Sequence, residues 1–254
     1  MIDLHCHLLP GVDDGPRDLE TAVAMARQLH AVGFVTIAPS PHTGTGPGGD
    51  TLAATAAAAR DHLADALRQH SVALDLVPNA EHTLSPALLD RVAAQTLVPI
   101  GGRGHWLLLE LPWMELVELE GALERLQQAG YRILLAHPER YDFLSVELLR
   151  RLRARGVVLQ ADLGSLVGLF GPGCRERVNK LVRLGLIDVV ASDLHEPVAA
   201  HDWLSESLRL VASALGADGF ELVTEVNPRK ILADAAVSEI VAPTVREEPT
   251  KRRS

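Results

Sequence analysis

Cysteine is scarce in this sequence, which has only Cys6 and Cys174 among its 254 residues. Two cysteines give no disulfide framework, and this fits a reducing compartment. They also exclude the thiol phosphatases, which need an arginine six positions after the nucleophilic cysteine. Those positions hold Val12 and Lys180. Any hydrolytic chemistry must therefore come from other side chains.

Long apolar runs and an excess of positive charge are also missing. No apolar run reaches the roughly 18 residues of a membrane span, and the first residues lack the basic and apolar regions of a signal peptide. We therefore expect a cytoplasmic protein without a membrane span, and the sequence leaves its oligomeric state open. The net charge of −9 argues against a nucleic acid as the main partner.

Seven β-rich runs alternate with helical segments along most of the chain and predict an α/β fold with parallel strands. The runs are MIDLHCHL, GFVTIAPS, ALDLVPNAE, HWLLLELP, YRILLAHPE, GVVLQADLG and LIDVVASDLH. Apolar periodicity predicts helices over residues 18–30, 51–70, 116–129 and 144–155. Residues 1–241 are expected to form one domain, a common size for an α/β barrel, and residues 242–254 a disordered tail.

Imidazoles and carboxylates stand at or just after the ends of six of these strands. The first strand carries His5 and His7, with Asp13 and Asp14 in the loop that follows, and the later strands lead to His42, Glu81, Glu110, His137, Asp193 and His195. The carboxyl ends of parallel strands open on one face of a barrel, where such folds carry their sites. Residues far apart in the sequence are therefore expected to meet there.

The spacing of the first and last motifs favours a barrel over an open sheet. Side chains alternate along a strand, so His5 and His7 share one side while Cys6 points to the other, and Asp193 pairs with His195 in the same way. The first and last strands become neighbours only if the sheet closes. Nitrogen and oxygen ligands without thiolates suit Mn²⁺, Fe or Zn²⁺. They suffice for two ions about 3.5–4 Å apart, a common clamp for phosphoryl transfer or hydrolysis.

Seven segments together resemble one known superfamily. DLHCHLLPGVDDG, APSPH, NAE, LLLELP, LLAHPERY, VVASDLH and NPRKIL, in this order from residue 1 to about 235, are similar to the polymerase and histidinol phosphatase (PHP) superfamily. They are closest to its bacterial manganese-dependent protein-tyrosine phosphatases of capsule and exopolysaccharide operons, the CpsB/YwqE type. The resemblance implies a phosphoester hydrolase with a distorted (β/α)7 TIM-like barrel, the PHP fold. It also implies up to three metal ions, with Mn²⁺ favoured over Fe or Zn²⁺.

The same resemblance implies a role for each candidate residue. One ion would be bound by His5, His7, Glu81 and Asp193, a second by Glu81, Glu110 and His137, and a third by Asp14 (favoured over Asp13), His42 and His195. Arg140 matches a family arginine that contacts the phosphate. His42, or another histidine on that face, is a candidate acid for the leaving phenolate. The implied substrate is the phosphotyrosine tail of a tyrosine autokinase.

Two segments depart from the family pattern. Several relatives carry a second basic residue a few positions after the last histidine, where this chain has Ala199, Ala200 and His201. The loop TGTGPGG after His42 is glycine-rich where relatives are often more polar. Its G-x-G-x-x-G spacing also matches a nucleotide-binding loop, but a lone match is weak and Pro47 hinders a close approach of the backbone. A flexible rim of the site is the favoured interpretation.

Three other functions remain as alternatives. Another PHP phosphoesterase, such as a histidinol-phosphate phosphatase, would use the same ligands with a different pocket rim. A non-catalytic PHP module is disfavoured, because every ligand position can be filled. A barrel amidohydrolase with two metals commonly uses a carboxylated lysine at a strand end, but the three lysines, Lys180, Lys230 and Lys251, end no predicted strand.

Overall fold

The structure, a computed structural model, describes residues 1–43, 49–112, 118–197 and 203–244. The strands within these ranges are β1 (Ile2–Cys6), β2 (Thr36–Pro39), β3 (His42–Thr43), β4 (Asp75–Leu76), β5 (Glu81–Thr83), β6 (Trp106–Glu110), β7 (Arg132–Ala136), β8 (Val157–Asp162) and β9 (Val189–Ala191). The α-helices are α1 (Leu19–Ala31), α2 (Gly49–Gln69), α3 (Pro86–Ala94), α4 (Leu119–Gln128), α5 (Val146–Ala154), α6 (Leu163–Val167), α7 (Pro172–Arg183), α8 (Trp203–Glu221) and α9 (Asn227–Leu232). Short 3₁₀ turns cover Pro138–Arg140 and Val237–Glu239, and a π-helical turn covers Leu222–Val226.

The four predicted helices correspond to α1, α2, α4 and α5, although residues 116–117 of the third lie outside the described residues. The helix α1 begins where the Asp18 carboxylate accepts a hydrogen bond from the backbone N–H of Thr21 at 2.8 Å. After α1, α4 and α5 the chain turns at Gly33, Gly130 and Gly156, with φ of 104°, 93° and 86°. Only glycine adopts these values without strain, so each helix can lead directly into the next strand. In the described ranges no helix combines the length and the apolar content that crossing a bilayer requires.

All strand pairs are parallel, which confirms the predicted α/β class, but the described strands form two sheets and no closed barrel. One sheet has the order β1–β2–β4 and the other the order β3–β5–β6–β7–β8–β9. This differs from the predicted (β/α)7 barrel because a second short strand follows close after each of two strands: β3 begins just beyond the second predicted run, and β5 begins at the last residue of the third. The breaks coincide with Pro41 and Pro78. A proline nitrogen carries no hydrogen for the ladder, so it interrupts strand pairing.

Hydrogen bonds nevertheless join the first strand run to the last. The Asp193 N–H donates to the carbonyl of His5 at 2.8 Å, and the His7 N–H donates to the carbonyl of Leu194 at 3.0 Å. The predicted neighbourhood of the first and last runs is therefore confirmed, although these contacts lie beyond the end of β9. They bring the two histidines of the opening motif beside the aspartate of the last run.

Alternation along the central strands separates two apolar clusters. Leu107 and Leu109 of β6 belong to the larger cluster, which includes the buried faces of the helices. Trp106 and Leu108 belong to a smaller cluster that also contains Ile231 of α9. On this second side β6 ends in a glutamate. The apolar cluster thus occupies the amino-terminal part of this side and leaves the carboxyl ends of the strands to polar residues.

Candidate metal centre

The carboxyl ends of the strands bring all nine predicted ligands together. They fall into four groups whose nitrogen or oxygen atoms lie within 4.8 Å of one another: His7, Asp14, His42 and His195; His5, His137 and Asp193; His5, His7 and Glu81; and His42, Glu81 and Glu110. A cavity of about 390 Å³ leads to this cluster. Arg140 and Thr83 line the cavity together with seven of the nine residues.

Glu81 lies at the centre of the cluster and is almost completely buried. Its carboxylate oxygens contact four imidazoles: His42 Nδ1 at 3.0 Å, His137 Nε2 at 3.1 Å, His5 Nε2 at 3.3 Å and His7 Nε2 at 3.4 Å. Burial alone would raise the pKa of Glu81, but the charge of His5 and the hydrogen bonds from His137 and His42 hold this pKa well below its usual range. Glu81 is thus a carboxylate that ring nitrogens approach from several strands.

His5 and His7 face each other through their Nε2 atoms at 3.3 Å. Both atoms also face Oδ1 of Asp193, at 3.2 and 3.4 Å. Buried imidazoles and carboxylates held this close are costly unless a positive charge lies among them. A divalent ion that prefers nitrogen and oxygen ligands supplies that charge. The donor set therefore fits metal ions.

Two of these residues have backbones in the left-handed region, with φ of 34° at His137 and 47° at Asp193. Residues other than glycine rarely adopt such values. The other non-glycine residues of this kind in the described chain, Ser71, Gln95 and Asp234, lie just after helices, whereas these two follow β7 and β9. Strain of this kind clusters at functional sites. Both side chains line the cavity.

The two neighbouring aspartates of the opening motif make different contacts. Asp13 Oδ2 accepts a hydrogen bond from His7 Nδ1 at 2.6 Å and another from the backbone N–H of His42 at 3.2 Å. Asp14 Oδ1 instead faces His195 Nε2 at 3.4 Å and His42 Nε2 at 3.6 Å. Asp13 therefore orients the His7 ring from behind, and Asp14 faces the cluster.

Sequence reasoning missed the contribution of β8 to the site. Gln160 Oε1 accepts a hydrogen bond from His5 Nδ1 at 3.0 Å, and Gln160 Nε2 donates to Asp162 Oδ1 at 2.8 Å. Both side chains are fully buried. The available signal was a glutamine and an aspartate at alternate positions of the otherwise apolar strand VVLQAD. Hydrogen bonds of this kind orient ligating imidazoles.

Arg140 follows His137 in the 3₁₀ turn and reaches back into the cavity. Its guanidinium pairs with Asp162 at 2.6 Å and with Asp193, and its carbon lies 3.5 Å from the centre of the Phe170 ring. Burial works against the charged form, but the charges of Asp162 and Asp193 outweigh this and raise the pKa of Arg140. The cavity is therefore lined by one cation with a well-defined position.

Tyr141 ties the turn that carries Arg140 to the end of β6. Its buried hydroxyl donates to the Leu111 carbonyl at 2.8 Å and accepts from the Leu111 N–H at 3.0 Å. We expect Tyr141→Phe to lower the free energy of unfolding by about 2 kcal/mol, because both backbone groups of Leu111 lose this partner. Urea unfolding measures the loss. The matched change Tyr131→Phe, at a partly exposed position, should cost less than about 0.5 kcal/mol, and equal losses would contradict the role of this hydroxyl.

Both cysteines are free and buried. Burial raises the pKa of the Cys6 thiol and of the Cys174 thiol. Neither is therefore poised as a nucleophile, in agreement with the exclusion of thiol phosphatases. The predictions for residues 44–48, for Ala199, Ala200 and His201, and for the tail from residue 245 lie outside the described residues.

Comparisons with known proteins relate this site to a family. The chain is 31% identical over 228 residues to the tyrosine-protein phosphatase YwqE of Bacillus subtilis, covering 89% of each chain. It is 26% identical over 198 residues to the putative tyrosine-protein phosphatase CapC of Staphylococcus aureus, covering 77% of each chain.

Solved structures show the same similarity. One described as that of YwqE from Bacillus subtilis and CpsB from Streptococcus pneumoniae, unique metal-dependent tyrosine phosphatases, matches with a TM-score of 0.82 and 28% identity, covering 98% of this chain and 100% of the other. An organophosphorus hydrolase variant from Deinococcus radiodurans shares the fold alone, with a TM-score of 0.52 and 16% identity over 91% of this chain and 92% of the other. The sequence model of the family described as capsular polysaccharide synthesis, CpsB/CapC, matches residues 1–233. The chain therefore belongs to the CpsB/CapC family.

Proposed function

We propose that this chain is a metal-dependent protein-tyrosine phosphatase. The observation that carries the proposal is the clustering of nine imidazole and carboxylate side chains, seven of which line one cavity together with the partly buried Arg140. Its relatives named as tyrosine-protein phosphatases, YwqE above all, support the substrate class. We further propose that residues 1–241 act as one domain, in which the two sheets are halves of a distorted (β/α)7 barrel of the PHP type.

Three metal positions are proposed from the groups of facing ligand atoms. His5, His7, Glu81 and Asp193 would hold one ion, Glu81, Glu110 and His137 a second, and Asp14, His42 and His195 the third. The contacts of Glu81 with His5 and with His137 support its place between the first two. Asp14 is proposed over Asp13 because the hydrogen bonds of Asp13 go to the rear of His7 and to the backbone. Nitrogen and oxygen ligands without thiolate fit Mn²⁺, Fe or Zn²⁺. We propose Mn²⁺ among them because of the resemblance to the manganese-dependent phosphatases.

Arg140 is proposed to bind the phosphate of the substrate. The metal ions, when bound, would supply Lewis-acid charge and lower the pKa of a water nucleophile. The Arg140 fork would donate two hydrogen bonds to the non-bridging oxygens, where charge must be stabilised in the transition state. Asp162 holds the guanidinium in place from the side of β8. The Arg140 side chain is therefore already held in place, and it loses little conformational entropy when it binds the phosphate.

His42 has two predicted roles, as a ligand and as an acid, that one ring nitrogen cannot fill together. Its Nε2 faces Asp14 at 3.6 Å, and its Nδ1 faces Glu81 at 3.0 Å and Glu110 at 3.5 Å. Without an ion, burial lowers the pKa of His42, but its carboxylate partners outweigh this and raise the pKa to about 10. A metal ion bound to the ring would displace that proton. We propose ligation as the main role of His42. The phenol of the leaving group has a pKa of about 10, so its phenolate can leave without protonation by an acid.

The proposed physiological substrate is the phosphotyrosine tail of a tyrosine autokinase of capsule or exopolysaccharide assembly, and the proposed compartment of this chain is the cytoplasm. The description of the family as one of capsular polysaccharide synthesis supports this pathway. The two free cysteines fit a reducing cytoplasm. The cavity is open to solvent, and its proposed ligands His42 and Asp14 are partly exposed and well exposed, respectively. A peptide tail could therefore reach the site.

We expect the purified protein to contain two to three metal ions, and chelation to abolish its hydrolysis of a phosphotyrosine peptide. Mn²⁺ should restore the activity and raise the melting temperature, because ions that bind only the folded state stabilise it by mass action. Metal analysis, peptide hydrolysis and thermal unfolding on the same samples measure this. Phosphoserine peptide and histidinol phosphate serve as competing substrates.

The outcomes separate the alternatives. Bound metal with preferential hydrolysis of histidinol phosphate would leave the site intact and assign another PHP phosphoesterase. Bound metal with no phosphoesterase activity would favour a non-catalytic module. Purified protein that neither contains nor takes up metal would contradict the proposal.

A further inference from the structure

The loop between α6 and α7 presents two adjacent apolar side chains to solvent. Leu169 is 54% exposed and Phe170 is 43% exposed. Glycines at both ends of the pair, Gly168 and Gly171, have φ of 86° and 89°. Large exposed apolar side chains that are neighbours need an explanation, since water disfavours them. The turn geometry holds this pair at the surface.

The loop is packed firmly onto the helix that precedes it. A Cβ atom at Gly164 of α6 would lie 3.0 Å from Leu169 Cδ1 and 3.1 Å from Phe170 Cε2. A larger residue at position 164 would therefore push the pair away from the helix. The absence of a side chain at Gly164 therefore leaves room for Leu169 and Phe170 to pack against α6.

Phe170 contacts the arginine that lines the proposed catalytic cavity. Its ring covers the Arg140 guanidinium at 3.5 Å, a cation–π contact. The other partners of the Arg140 guanidinium are the carboxylates of Asp162 and Asp193, so the Phe170 ring is its apolar neighbour. A phosphate bound to Arg140 would therefore lie next to a side chain that already contacts the Phe170 ring.

We propose that Phe170, flanked by Leu169, is the wall that binds the aromatic ring of the substrate and selects aryl over alkyl phosphate monoesters. This inference rests on the proposed phosphatase function. Aromatic rings prefer offset or edge-to-face contact with each other, and the contact with Arg140 orients the Phe170 ring for it. The short side chain of phosphoserine would not extend to this surface, whereas the phenyl ring of phosphotyrosine would.

The test is the binding of phenylphosphonate and methylphosphonate to the metal-loaded protein by titration calorimetry. These probes carry the same phosphonate group and differ in the ring, and neither is hydrolysed. We expect the wild type to bind phenylphosphonate more tightly, and Phe170→Leu to reduce this preference about threefold to tenfold, the size of an aromatic pair. The matched change Phe220→Leu on α8 should leave the preference unchanged. The ratio of kcat/KM for phosphotyrosine and phosphoserine peptides should fall in parallel.

Other results would overturn the proposal. An equal loss of both phosphonates in Phe170→Leu would mean that the ring only positions Arg140. An unchanged preference would mean that the substrate ring lies elsewhere. A wild type that hydrolyses phosphotyrosine without preferring phenylphosphonate would refute the wall and keep the phosphatase function. A wild type that prefers phenylphosphonate through Phe170 but does not hydrolyse phosphotyrosine would refute that function and keep the wall.

Discussion

Replacing Glu81 by glutamine should lower kcat/KM for a phosphotyrosine peptide by more than about 100-fold. Loss of an outer partner of a ligand already costs 10–100-fold in metal affinity or activity, and Glu81 lies closer to the centre of the site than any outer partner. The variant keeps the size of the side chain but removes the negative charge that His5, His7, His42 and His137 face. Metal content should fall with activity.

The matched control for this variant is Glu120→Gln on α4. Glu120 is partly exposed and pairs with Arg151 and Arg155 at the surface, so the same chemical change should leave activity and metal content unchanged. Metal analysis and peptide hydrolysis are measured on both proteins, with circular dichroism to show that they are folded. A folded Glu81→Gln protein with wild-type metal content and activity would remove Glu81 from the proposed centre.

Most of the candidate ligands could be selected from the sequence because they lie at or just after strand ends, positions that local rules define. Alternation along a strand places His5 and His7 on one side, and the carboxyl ends of parallel strands meet on one face. The contact of His5 with Asp193 confirms that the first and last runs meet. These positions depend on the direction and period of each strand, and both can be read from the residues themselves.

The parts that were missed depend on pairing between distant segments. The polar residues of β8 were visible, but their partners, His5 for Gln160 and Arg140 for Asp162, follow only from how the strands are ordered. The same holds for Phe170, which lies in a loop and contacts an arginine 30 positions earlier in the chain. The division into two sheets was missed for a different reason. Pro41 and Pro78 interrupt the hydrogen-bond ladder, and the apolar pattern of the runs does not reflect this effect.

Arg140→Lys should lower kcat/KM for the phosphotyrosine peptide by about 100-fold while leaving metal content unchanged. Removal of one well-placed donor from a site that stabilises transition-state charge typically costs 10²–10³-fold. Lysine keeps the charge but has no planar fork, so it cannot hold Asp162 and donate two parallel hydrogen bonds to a phosphate at once. It also loses the stacking contact with Phe170. Because Arg140 ligates no metal in the proposed centre, the ions should remain bound.

The loss in Arg140→Lys should appear mainly in kcat if the guanidinium acts on charge that develops in the transition state, and in KM if it only binds the ground state. Steady-state kinetics with the metal-loaded variant distinguish the two. Arg151→Lys is the matched control, since Arg151 is exposed and pairs with Glu120 at 2.8 Å. Full activity in Arg140→Lys would show that charge alone suffices at this position. Loss of metal together with activity would instead mean that Arg140 acts through Asp193, which it contacts, and that its role is to hold a ligand rather than the phosphate.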